Sequence, residues 1–375
     1  MKIDVVGGGP AGTYSAYLLA KKGYIVNLYE RNPVFGPPVQ CTGILSDHFT
    51  SIMPAKEDFV ENVVEKTRIY APNGRYVETN IKKNYVVCRK KFDNYLAEMA
   101  QNEGVRCHLG HSFNDFLDKD NLKVKLKYKG KAVYSSPDKL IGADGPLSPI
   151  AKAAGLYGKR QHLIGTQIEA KMENDNVVEF YPYIGSYAWI VPKDENTVRI
   201  GVAAYKDSMN LFKKFAKEKI GKDYDAKTIE NQSGVIPTFN PSVKVQKGDI
   251  YLNGDAATFV KATTGGGINQ SLKGAKILAE SIDKNKDYNK EWKKGLYRNL
   301  HTHLVVHKAM QKFNENDWNS LINTFSEDKM KNILYSESRD NIVKMVSKIA
   351  MTKPSIFRYS VKFPFSEIKN FVKLS

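Results

Sequence analysis

The sequence is poor in the residue patterns that would place it in several common classes. Its three cysteines, Cys41, Cys88 and Cys107, are an odd number with no CxxC spacing. That excludes a disulfide framework and a cysteine zinc site, and no metal is expected. Cys88 and Cys107 read as ordinary buried strand residues. No apolar run approaches the roughly 18 residues needed to cross a bilayer, and mean hydropathy is −0.44. The chain enters a strand at Lys2 without a charged leader, so no signal peptide is expected and the cytoplasm is the default compartment. His303 and His307 share a helical face without the Glu of an HExxH motif, and no Ser-His-Asp set stands out. Acids are also scarce, with 40 Asp and Glu against 57 Lys and Arg, a formal charge of +17.

Three glycine-bearing segments occur in a fixed order. Gly7-Gly8-Gly9-Pro10-Ala11-Gly12 follows the apolar strand Ile3-Asp4-Val5-Val6 and opens a helical run from Thr13 to Lys22. Gly7 permits the tight turn, Gly9 lets backbone approach a pyrophosphate, and Gly12 lets helix pack on strand, with phosphate charge at the helix N-terminus. Glu30 closes the next strand, where its carboxylate can accept from an unphosphorylated ribose and repel a 2′-phosphate. The second segment is Gly142-Ala143-Asp144-Gly145. The third is Gly254-Asp255-Ala256-Ala257, leading into Gly265-Gly266-Gly267 and a helical run from Ile268. Asp255, at a strand end, can hold a sugar-like hydroxyl. The glycine N–H groups before Ile268 can face the electron-rich edge of a flavin. One GxGxxG is a weak signal, but the ordered set indicates FAD.

Four further segments carry a family resemblance: Pro38-Val39-Gln40-Cys41-Thr42-Gly43-Ile44-Leu45-Ser46, Val87-Cys88-Arg89-Lys90-Lys91-Phe92-Asp93, Tyr187-Ala188-Trp189-Ile190-Val191-Pro192 and Val260 to Ile268. With the glycine motifs they resemble the geranylgeranyl reductase family, within the p-hydroxybenzoate-hydroxylase-like flavoproteins, over roughly residues 1 to 280. Two positions depart from the family pattern: Val191 stands where a Phe is usual, and Ala262 where a Pro is usual. The resemblance implies an FAD-dependent reductase that saturates carbon-carbon double bonds of geranylgeranyl chains in archaeal-type ether lipids. A monooxygenase or halogenase of the same fold is the alternative, and a lipid-carrying flavoprotein without turnover is a third reading. The electron donor is left open among NAD(P)H, ferredoxin and others.

By this resemblance the cofactor contacts are Gly7, Gly9, Pro10, Ala11, Gly12, Glu30, Arg31, Cys41, Arg89, Asp144, Asp255, Gly265, Gly266, Gly267 and Ile268. Cys41, placed beside the flavin ring, is the candidate catalytic residue, either giving a proton or shaping the alkene site. Tyr187, Trp189 and Pro192 are the candidate substrate contacts. Tyr187 and Trp189, two apart on a strand, share a face that lines an isoprenoid tunnel or packs as core.

The expected fold is α/β: a Rossmann-type FAD-binding domain, an antiparallel-sheet substrate domain and a C-terminal helical region. The FAD domain is discontinuous (1–50, 80–160, 241–285), the substrate domain takes 51–79 and 161–240, and 286–375 form a basic helical region. From Lys344 on stand Lys344, Lys348, Lys353, Arg358, Lys362, Lys369 and Lys373 against one acid, Glu367, interleaved with Phe357, Tyr359, Phe363, Phe365 and Phe371. Cations among aromatics suit anionic headgroups, so peripheral contact with the inner membrane face is expected; a solvated basic surface is the plainer reading. No nucleic-acid motif accompanies the charge.

Overall fold

A computed structural model of the chain describes residues 1–362. Strands Lys2–Val6, Ile25–Glu30, Arg106–Leu109, Lys139–Gly142 and Ile250–Leu252 form a parallel sheet, edged by the antiparallel Gln246–Lys247. The parallel strands read as continuous apolar runs because both faces are covered. Ile3, Val5, Val26, Leu28, Leu140 and Ile141 are almost fully buried. Helices Pro10–Ala20 and Ile268–Asp283 pack against this sheet and each other. The expected small antiparallel layer is the three-stranded sheet of His111–Asp118, Lys123–Tyr128 and Lys131–Ser135.

The second sheet has eight strands. Its centre is antiparallel: His162–Lys171, Thr197–Ala204, Tyr187–Asp194 and Val178–Tyr181 pair in that order. The hairpin Val60–Tyr70 and Tyr76–Val87 joins through a parallel pairing of Val178 with Thr67. Turn residues Pro72-Asn73-Gly74 place this hairpin correctly, but its second strand runs on to Val87. A boundary at 79 therefore falls inside one strand. Bulges along the hairpin let it continue in the sheet while its polar outer positions blur the alternation that would mark its length. Helix Ser208–Lys219 covers one face of the sheet, with Phe212 and Phe215 against Ile168, Ile190 and Ile200.

The C-terminal helices divide between the two sheets. Tyr288, Trp292 and Leu300 complete the core around the first sheet. Helices Glu315–Phe325 and Asp328–Ser336 pack on strand Tyr76–Val87, with Ile322 against Ala71 and Val77. The described tail cations find acids upstream of the stretch in which only Glu367 was counted. Lys344 and Lys348 meet Glu337, Lys353 meets Glu327 at 2.6 Å, and Lys362 meets Asp317 at 2.8 Å. Tyr359 is buried beside Phe313. The side chains of Phe357 and Arg358, and everything from Phe363 on, including Phe365, Lys369, Phe371 and Lys373, lie outside the described residues.

Candidate active site

A cleft of about 400 Å³ runs between the two sheets and collects most of the expected residues. At one end its wall is main chain. Gly7 takes φ +111°, and a Cβ there would stand 2.2 Å from the Ala143 carbonyl oxygen. A Cβ on Gly12 would stand 1.9 Å from the Gly7 carbonyl oxygen. Both glycines thus allow contacts no other residue permits. Gly9 differs: a Cβ there meets nothing within 4 Å, so its face is open toward the cleft. Pro10 starts the helix and, with Ala11, lines the cleft. Glu30 is buried; its carboxylate accepts from the Gly8 N–H at 2.6 Å and the Asn32 N–H at 2.8 Å. It ties the turn to the second strand and keeps lone pairs for a hydroxyl. Arg31 is exposed at the rim.

The other end is built from side chains. Arg89 grips Asp93 with two hydrogen bonds, 3.0 and 2.8 Å. Burial works against its charge, but Asp93 and the nearby Cys41 sulfur hold it protonated. Cys41 Sγ also accepts from the Gly43 N–H at 3.4 Å. Tyr187 lies close on another side: burial, with Tyr205 and Cys41, pushes its phenol pKa up. Its hydroxyl is buried without a partner, and a Cβ on Gly265 would come within 2.3 Å of it. Burial pushes the Asp255 carboxyl up to about 6, opposed by Arg89 and Arg160. Gly267 caps the helix that begins at Ile268. The open face of Gly9, the loop Gly265–Gly267 and the orphaned Tyr187 hydroxyl fit the two halves of FAD.

Two expected contacts are placed elsewhere. Asp144 accepts from Ser148 Oγ at 2.6 Å and the Ile150 N–H at 3.0 Å, so its carboxylate organises its own loop and helix start. The cleft is lined instead by its neighbours Ala143 and Gly145. A strand alternates faces, so Tyr187, Trp189 and Val191 share the cleft wall while Pro192 turns away. The valine at the motif's Phe position is therefore the wall residue of that pair.

Several site residues escape sequence reading. Trp189, Gly201, Gln167 and Gln232 stand in one row across four strands. A Cβ on Gly201 would meet the indole at 2.3 Å, and through that gap Trp189 Nε1 donates to Gln167 Oε1 at 2.9 Å. Thr42 Oγ1 donates to the same oxygen at 2.6 Å. Arg199, buried, donates to the carbonyls of Thr42 (2.8 Å) and Val87 (3.0 Å) and pairs with Glu61 and Glu169. It thereby fixes the backbone just after Cys41 and two residues before Arg89. Its signal in the sequence is a lone cation inside the apolar run Val198 to Ala204. Asp340 joins Lys261, Ser46 and Asn269 in one buried cluster, and nothing in the sequence marks it.

The profile of the FAD-binding domain family matches residues 1–285. A digeranylgeranylglycerophospholipid reductase of Methanocaldococcus jannaschii is 29% identical over 383 residues, spanning 95% of this chain and 96% of its own. A digeranylgeranylglycerophospholipid reductase 2 of Methanothermobacter thermautotrophicus is 30% identical over 306 residues, 75% of this chain and 77% of its own. Among solved structures, a geranylgeranyl bacteriochlorophyll reductase-like protein of Thermoplasma acidophilum matches with TM-score 0.83 at 22% identity, over 95% of this chain and 97% of its own. A flavin-dependent brominase matches with TM-score 0.72 at 14% identity, over 96% and 100%; both structural likenesses speak for the fold alone.

Fold and cleft together define a flavoprotein with FAD as its cofactor. The chain belongs to the geranylgeranyl reductase family within the FAD-binding domain family.

Proposed function

We propose that this enzyme saturates carbon-carbon double bonds in the geranylgeranyl chains of archaeal-type ether lipids. The observation that carries the reading is one arrangement: Cys41 lies near both Arg89 and Tyr187, in a cleft walled on one side by Tyr187, Trp189 and Val191. When bound and reduced by an external donor, FAD would supply the hydride for one alkene carbon. The chain supplies the rest. Cys41 holds the proton destined for the other carbon at Sγ, and the Gly43 N–H and Arg89 guanidinium face the sulfur's negative charge once that proton leaves. The aromatic wall excludes water and holds the alkene, which an isolated double bond needs because it accepts hydride poorly. Gly9, Pro10, Ala11 and Glu30 would hold the adenosine-diphosphate half of the cofactor, with Arg31 at the rim; Asp255 and Gly265 to Ile268 would hold the flavin half. No helix of the described residues is long and apolar enough to cross a membrane, so the lipid is met at a surface or delivered by a carrier.

The test is anaerobic turnover of the reduced enzyme with geranylgeranylated glycerophospholipids and mass detection. A gain of two hydrogens per bond is expected. Accumulation of an oxygenated or halogenated product in air, with no alkene reduced, would replace this reading by the monooxygenase or halogenase alternative.

A further inference from the structure

The cleft has one cation that neither the sequence motifs nor the proposed chemistry uses. Arg339, between helices Asp328–Ser336 and Ile342–Thr352, is half-buried and lines the cleft. Its Nε is fully buried without a partner. Its two acidic neighbours are already taken. Asp340 is bound by Lys261, Ser46 and Asn269. Asp47 accepts from Ser338 Oγ at 2.6 Å and lies 3.9 Å from Lys82. The other buried cations of the cleft do have carboxylates: Arg89 has Asp93 and Lys261 has Asp340. Asp340 and Asp47 favour its charge from nearby but bond to other groups, and a guanidinium N–H buried without an acceptor is costly and is completed by an anion.

The surroundings are arranged for the same end. Ser338 and Asp340, on either side of Arg339, are both tied to the FAD domain, which fixes the arginine at the seam. Lys273 and Lys276, half-buried on helix Ile268–Asp283, make no ion pair among the described residues. Lys273 Nζ lies 3.4 Å from His48 Nδ1, and Lys276 Nζ donates to the Ile52 carbonyl at 3.5 Å. Burial, with Lys273, holds the Lys276 pKa below its usual range. Lys261 feels both Lys273 and Arg339 as like charges. At the seam the cations Arg339, Lys261, Lys273 and Lys276 outnumber the acids Asp340 and Asp47. The cofactor's own phosphates are an unsuitable claimant, since the turn proposed to hold them is Gly7 to Gly12, whereas Arg339 neighbours Lys261 and the third glycine motif.

We propose that Arg339 binds the phosphate of the prenyl lipid's head group, anchoring the head at this seam while the Tyr187, Trp189 and Val191 wall takes the chain. The inference rests on the reductase reading for the identity of the lipid. Its chemistry, a phosphate ester on an apolar chain, is shared by a glycerophospholipid and a free prenyl diphosphate.

The experiment measures equilibrium binding of three ligands to the FAD-loaded protein through flavin fluorescence: a geranylgeranylated glycerophosphate, geranylgeranyl diphosphate and geranylgeraniol. For the parent, at least one phosphate-bearing ligand should bind more tightly than the alcohol. Arg339→Gln should weaken that binding roughly ten- to hundredfold, the range of a charge-assisted hydrogen bond, with less than about a twofold change for geranylgeraniol. Arg339→Lys should recover part of the loss, and Lys273→Gln should reproduce a smaller one. Whichever phosphate ligand loses more is the source the site serves. Equal loss for all three ligands, parent binding that ignores the phosphate, or a changed FAD affinity in Arg339→Gln would overturn the proposal. Binding needs no turnover, so a parent that binds the phosphate through Arg339 yet reduces no alkene would sink the reductase reading alone.

Discussion

At the Gly7 to Gly12 end, the cleft is closed by main chain from three strand ends; at the Cys41 end, it is closed by side chains drawn from many separate segments. The first end tolerates no side chain at Gly7 or Gly12, because a single added carbon there collides with a carbonyl. The second depends on buried charges that hold several segments together. Backbone-built sites fail all at once. Side-chain-built sites lose chemistry, selectivity or stability separately, according to which residue is touched.

The sharpest way to break the comparison is at Gly12. Gly12→Val places atoms where Gly7's carbonyl already stands, 1.9 Å from the new Cβ, and should yield protein without flavin absorbance or no folded protein. Gly9→Ala adds its methyl on the open side, so it should fold like the parent and bind FAD more weakly. Thermal melts of the two apoproteins with flavin titration separate these outcomes. A folded Gly12→Val variant with full flavin content would refute the main-chain account.

Arg199 and Cys41 sharpen the other end. Arg199→Met leaves Glu61 and the buried Glu169 with Lys193 as their remaining cation and frees the Thr42 and Val87 carbonyls. Breaking a buried charge network of this kind costs about 3–5 kcal/mol, which urea unfolding would read as a lower midpoint. Cys41→Ala should keep FAD and the parent's stability but lower alkene reduction on the order of 10²-fold, the lower range for a lost general acid. Parent-like turnover with the same products would leave Cys41 as packing only.

Asp255 and Asp144 offer a gentler test, since both are acids at strand ends. Asp144 is satisfied within its loop, whereas the Asp255 carboxylate accepts no hydrogen bond among the described residues and is pushed up to about 6 by burial. A raised carboxyl binds more protons folded than unfolded. Its contribution therefore favours the fold below the unfolded value near 3.8 and is lost as pH rises through about 6. Asp144, also raised by burial, acts in the same direction. The apoprotein's melting temperature, measured from pH 4 to pH 7, should carry this falling component, and Asp255→Asn should remove part of it. An unchanged profile in Asp255→Asn would mean that its carboxyl is solvated.

The glycine end was legible because its requirements are stereochemical and local: strand, glycine spacing and helix occur within one stretch of chain. Trp189 and Tyr187 were legible as a face because strand alternation is local too, and the same rule places Pro192 on the other side. The loop role of Asp144 was not legible, because a carboxylate between glycines serves a loop as readily as a ligand and its partners Ser148 and Ile150 appear only in the fold. The row from Trp189 to Gln232 needs strand register, Arg339 and Asp340 need the docking of distant helices, and no spacing in the sequence encodes either. The cationic tail shows the same blindness in reverse, for its counter-ions lie upstream.

That tail gives the smallest expected effect. If peripheral docking is electrostatic, Lys353 and Lys362 contribute through a surface whose local charge is already reduced by Glu327 and Asp317. Unmasking should then strengthen association: Glu327→Gln should raise binding to anionic vesicles at low salt, and Lys353→Gln should lower it. Each change of one charge near such a surface is worth about 1 kcal/mol, on the order of fivefold. Both effects should fade as salt shortens the screening length from about 10 Å at 0.1 M to about 3 Å at 1 M. Co-sedimentation of the two variants with neutral and anionic vesicles reads them out. Opposite shifts confined to anionic vesicles would assign the tail to docking, whereas unchanged binding in both would make these ion pairs internal staples of the helical region and leave the lipid to enter by another face.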